Sequence, residues 1–147
     1  EERGLTGAIL SSNQYAGSTR ESAQMKSEAL LNQFRDQINA VFCPNESSVY
    51  GMLQALRRTG LLGKVLLVGF DATPALVAAL RQEELHGLVL QDPVRMGYLG
   101  VIHAVDILEG SIPEKRIDTG AWVATAQNMD DAEIKQRLSP DLSILDQ

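Results

Sequence analysis

Cysteine is almost missing from this sequence: Cys43 is the only one in 147 residues. That excludes an internal disulfide and any metal site built on a cysteine pair. The thiol closes an apolar run, where a buried, inert role is expected. Positive charge is also in short supply, with 13 Lys plus Arg against 19 Asp plus Glu and a net charge of −6. Affinity for nucleic acid rests on neutralising phosphates, so an acidic chain without basic clusters predicts no nucleic-acid partner. No apolar run approaches membrane-spanning length. A signal peptide is absent too, but the chain opens at "EERGLTGAIL" without Met and reads as processed or truncated, so that absence carries little weight.

Enzyme signatures are likewise lacking. There is no Gly-x-Gly-x-x-Gly after a strand, no phosphate loop ending in Gly-Lys-Ser/Thr and no His-Glu-x-x-His. No Gly-x-Ser-x-Gly elbow occurs. These gaps argue against dinucleotide, nucleotide, metal and acyl-transfer chemistry, and no cofactor or metal is expected. His86 and His103 have no partner at ligand-like spacing; the first reads as a loop residue and the second as part of a helix. Arg57-Arg58 and Glu83-Glu84 read as solvated faces.

What is present is an alternation. Apolar runs at Leu5 to Ser11, Asn39 to Cys43, Val65 to Phe70, Gly87 to Gln91 and Arg116 to Val123 read as strands. Most are continuous rather than alternating, as parallel strands covered on both faces are. Helical periods fall between them: about Thr19 to Phe34, Ser47 to Thr59 (stopping at Gly60), Pro74 to Gln82 behind Thr73, and Pro93 to Glu109 behind Asp92. A last helix is expected from about Asp131 to Leu138, ahead of Pro140. The pattern predicts one α/β domain: a Rossmann-like open, mostly parallel sheet with helices on both faces.

In such a sheet ligands bind beyond the carboxyl ends of the strands. The residues there are Ser12, Asn13 and Gln14 after the first strand, Asn45 and Glu46 after the second, Asp71 after the third and Gln91 closing the fourth. Apart from Glu46 and Asp71 these are uncharged hydrogen-bonding groups. The set suits a neutral polyhydroxylated ligand, because a carboxylate accepts two hydroxyl protons while amides both donate and accept. Taken singly, Asn45 and Asp71 read first as helix caps. Gln91 does not, since Asp92 already holds the capping place.

The motifs "INAVFCPNESSVYGMLQALRRTGLLGKVLLVGFDATP", "LVLQDPVRMGYLGV" and "VATAQNMDD", in that order, resemble the C-terminal lobe of ribose-type periplasmic sugar-binding proteins, the solute-binding components of ABC importers. The resemblance implies a monosaccharide ligand (pentose or hexose), an ABC permease as membrane partner, and a periplasmic location. It also implies that Asn45, Asp71 and Gln91 bond the sugar hydroxyls. The family has two lobes, so an N-terminal lobe of the same protein is an expected partner, and the first strand and helix of this lobe are expected to be missing. Where family members often carry an aromatic residue after "NQYAG", Ser18-Thr19-Arg20 is polar here. Chain crossings between the lobes are implied near Leu90 to Asp92 and after Val123. An isolated lobe is expected to self-associate. Two other readings share the fold: the effector domain of a LacI-type transcription regulator, and a Rossmann-like enzyme acting on sugars with Asp71 as general base. Nothing in the sequence resembles a helix-turn-helix.

Overall fold

The computed structural model of the chain describes residues 8–140. Strands β1 (Ala40–Phe42), β2 (Leu66–Phe70), β3 (Gly87–Leu90) and β4 (Trp122–Ala124) form one sheet in that order. β1, β2 and β3 run parallel, and β4 returns antiparallel to β3 with Leu90 opposite Trp122. Helices α1 (Arg20–Gln33), α2 (Glu46–Thr59), α3 (Pro74–Arg81), α4 (Pro93–Leu108) and α5 (Ala132–Leu138) alternate with the strands as the periodicity predicts.

The helix ends follow local chemistry. The Thr19 hydroxyl accepts from the Ser22 amide and the Ser22 hydroxyl accepts from the Thr19 amide, a reciprocal cap for α1. Asn45 caps α2 and Asp92 caps α4, each through a side-chain oxygen on an amide three residues on. Gly51 lets α1 and α2 pack closely, because a Cβ there would lie 2.6 Å from the Gln24 amide nitrogen.

Register shows which face of the sheet holds the core. Val41, Leu67, Gly69, Leu88, Leu90 and Ala124 share a face, by strand pairing and by the two-residue side-chain period. Against it pack Val49, Met52, Leu53 and Leu56 of α2, Leu76, Ala79 and Leu80 of α3, and Ile134 of α5. Phe42, Leu66, Val89 and Val123 point the other way, and three of them are more than half exposed: Phe42 57%, Leu66 52% and Val123 53%. The expectation of helices on both faces is thus met on one face only among the described residues. The strands are apolar on both sides, but the described helices that join the core cover a single side.

Two strand assignments also change. Residues 8–11 of the run Leu5 to Ser11 form no strand, and residues 5–7 lie outside the described residues. Among the described residues no strand pairs with 8–11, and a strand without a neighbour has no ladder to satisfy its backbone groups. The run Arg116 to Val123 becomes a strand only from Trp122, because the Gly120 amide donates to Asp118 Oδ1 in an Asx-type turn that interrupts it. After β4 ends at Ala124, Met129 and Ile134 pack into the core.

Cys43 is buried as expected, and burial pushes its thiol up to about 11 against a weaker opposing hydrogen bond with Ser48. A raised folded-state value means that the stability from keeping the thiol neutral is complete below the ordinary thiol range and is lost as pH rises toward about 11. A disulfide reagent at pH 8 is expected to modify Cys43 slowly in the native chain and rapidly in denaturant. Equal rates would contradict the burial.

Candidate functional site

The carboxyl ends of β1, β2 and β3 lie side by side, and the loops that leave them carry Asn45, Asp71 and Gln91. β2 and β3 bring two of these together. Gln91 Nε2 donates to Asp71 Oδ1 at 2.9 Å, with both side chains partly buried. The Asp71 amide donates to the Val89 carbonyl at 2.9 Å, so the backbone of the turn is tied to β3 as well.

Asp71 has φ of +66°, a left-handed conformation that Asp tolerates better than most side chains. It does not cap α3. The N-cap there is Thr73, which makes no side-chain capping bond. The cap reading of Asp71 is therefore set aside: the left-handed turn swings its carboxylate away from the α3 amides and toward β3. With Oδ1 held by Gln91, Oδ2 and the Gln91 carbonyl have no hydrogen bond within the described residues. The pair can thus accept two or more hydroxyl protons and donate one N–H.

Asn45 does act as a cap. Its Oδ1 accepts from the Ser48 amide at 3.0 Å and from the Ser47 hydroxyl at 3.0 Å, which leaves the amide nitrogen of this exposed residue to donate outward. Glu46 is taken up by Arg20, whose guanidinium also lies 4.4 Å from the centre of the Tyr50 ring. Ser12, Asn13 and Gln14 are exposed and bond only locally, Gln14 Nε2 donating to Ser11 Oγ at 2.8 Å. The structure does not join them to the Asp71–Gln91 pair.

Groups set aside in the sequence have structural partners. Arg57 pairs with Glu84 and Arg58 with Glu28. His86 accepts the Leu67 amide on Nδ1 at 3.2 Å, pinning the entry to β3. Among the described residues, no group of three His, Cys, Asp or Glu could hold a metal, and no helix is long and apolar enough to cross a membrane.

Sequence reasoning missed Arg137. It reaches from α5 to Asp92 Oδ2 at 3.3 Å, and its guanidinium carbon lies 3.2 Å from the centre of the Trp122 ring. Asp92 and Arg137 are far apart in the chain, so only the fold brings them together. The Asp92 carboxyl is held below its usual range, first by the Arg95 amide it accepts from and then by Arg137.

A mostly parallel α/β sheet that takes ligands beyond the carboxyl ends of its strands defines a class of small-molecule binding folds, and the Asp71–Gln91 pair lies at that edge. The chain belongs to the periplasmic binding protein domain family, whose sequence pattern matches residues 3–112. It is 34% identical over 83 residues to a ribose import binding protein of Haemophilus influenzae, a match covering 56% of this chain and 28% of that protein. Among solved structures, it resembles an ABC transporter solute-binding protein of Agrobacterium vitis with bound D-fucose, at TM-score 0.78 and 30% identity over 87% of this chain and 44% of that one. A carbohydrate-transporter solute-binding protein of Agrobacterium radiobacter in complex with D-arabinose gives TM-score 0.77 and 32% identity, over 85% of this chain and 42% of that one. The chain thus covers less than half of each of these proteins.

Proposed function

We propose that this chain is the C-terminal lobe of a periplasmic solute-binding protein that captures a neutral monosaccharide, a pentose or hexose, and delivers it to an ABC permease. The observation that carries this reading is the Asp71–Gln91 pair at the carboxyl edge of β2 and β3. Asp71 accepts sugar hydroxyls, Gln91 orients that carboxylate and bonds a further hydroxyl, and Asn45 donates its amide N–H from the start of α2. None of these steps requires proton transfer, so the reading is of a binder and not an enzyme.

The second lobe belongs to the same reading. Every residue of α4 is exposed or only partly buried, and Val94, Tyr98, Val101 and Leu108 are exposed apolar side chains along it. A partner lobe would cover such a helix. Phe42, Leu66 and Val123 on the uncovered sheet face form a second exposed apolar surface that a partner would cover.

The test is a thermal-shift screen of the two-lobe parent against pentoses, hexoses and polyols. A ligand that binds only the native state stabilises it by about 2.7 kcal/mol at a hundredfold excess over its dissociation constant. No shift with any sugar, or turnover of a sugar or sugar phosphate, would overturn the reading. Gln91→Ala is expected to weaken the sugar that scores by roughly tenfold, since it removes one bond and frees the carboxylate. Titration calorimetry on the variant checks this.

A further inference from the structure

Between β3 and β4 the chain makes an excursion. It leaves the sheet at Leu90 and rejoins it at Trp122, directly opposite, and no residue from 93 to 121 is buried. This arm is therefore tied to the rest of the fold at its base. Arg137 sits at that base and touches both of its sides. Its guanidinium lies over the Trp122 ring, and its Nη1 pairs with Asp92 at 3.3 Å. Nη2 reaches Glu133 of its own helix at 3.5 Å. The other oxygen of Asp92 accepts the Arg95 amide at 2.9 Å, so the same carboxylate starts α4. A cleft of about 330 Å³ beside it is lined by Gln91, Asp92, Val94, Gln136, Arg137 and Pro140.

Gln91 is bracketed by these contacts. Leu90 is paired to Trp122, Asp92 is held by Arg137, and the Gln91 side chain between them reaches Asp71. Any rotation that swung the arm about residues 91 and 92 would also move the Gln91 side chain. We infer that Arg137 is a positioning residue for the ligand edge, clamping both sides of the arm's base so that Gln91 stays on Asp71. Arginine suits this task, since its planar guanidinium stacks on an indole while its N–H fork meets a carboxylate. Lysine can do one or the other.

The inference rests on the proposed sugar site, and its test separates the two. In the two-lobe parent, Arg137→Met keeps much of the packing without the charge, and Arg137→Lys keeps the charge without the planar stack. Arg137→Met is expected to weaken the sugar by about tenfold, with Arg137→Lys in between. In a Gln91→Ala background the Arg137→Met loss should shrink to less than about threefold, because the residue being positioned is gone. A merely structural arginine would give the same loss in both backgrounds, and that result, or unchanged affinity, overturns the inference. If the wild-type parent binds no sugar, the proposed function fails, and the clamp is judged by hydrogen exchange alone. Arg137→Met should then speed exchange in peptides spanning residues 90–96 and leave β1 and β2 unchanged; equal exchange in 90–96 would overturn it.

Discussion

Asp71→Gly in the two-lobe parent is expected to lose about 2–4 kcal/mol of sugar affinity, roughly 30- to 1000-fold, while the protein stays folded. On the proposed function, the affinity term would come from removing charge-assisted bonds to the sugar hydroxyls. The stability term has two opposing parts. Glycine relieves a side chain held at φ +66°, but it also adds freedom to the unfolded chain, and the two offset within about 1 kcal/mol. Asp71→Asn tests the charge separately. Asparagine also tolerates the left-handed turn and can still accept from Gln91, so it should lose less affinity than glycine. Calorimetric affinities set beside urea melts decide the matter. Affinity that survives Asp71→Gly would show that the carboxylate shapes a turn and does not hold a sugar.

The 147-residue chain alone is expected to bind its sugar no better than about millimolar. A complete site of micromolar strength is worth about −8 kcal/mol, and the isolated lobe should keep only about half of it. It offers one wall, with Asn45 exposed and Asp71 and Gln91 only partly buried. Hydrated groups gain less from each bond, and in the proposed two-lobe protein the opposing lobe would supply a second wall. The same chain should self-associate. Phe42, Leu66 and Val123 on the uncovered sheet face and Val94, Tyr98, Val101 and Leu108 on α4 are all exposed. β1 is hydrogen-bonded to β2 alone, so its other edge is free among the described residues. Sedimentation and titration calorimetry on one sample read both effects, and micromolar binding by a strict monomer would refute the pair.

Much of the secondary structure was legible in the residues because its causes are local. Thr19, Asn45 and Asp92 cap helices by bonding amides three residues away, and the 3.6-residue period of α2 places Val49, Met52, Leu53 and Leu56 on one face. The continuous apolar strands announced a sheet meant to be covered on both sides. That cover is carried only in part by the described residues, which is why the helix placement differed. The candidate ligand residues were also legible as a set, since each ends or follows a strand.

Their relations to one another were not. Whether Asp71 caps α3 or faces Gln91 turns on a single left-handed residue and on the pairing of β2 with β3, neither of which has a local signature. Asn45 and Asp71 looked alike in sequence, and the fold separated them, one bonded to Ser48 and the other to Gln91. Arg137 was invisible for the same reason: its partners, Asp92 and Trp122, become neighbours only when the chain returns antiparallel beside β3. Local hydrogen bonding and hydrophobic period are written within a few residues of chain. The pairing of side chains at the sheet edge depends on contacts between distant segments, and the tertiary structure alone decides those.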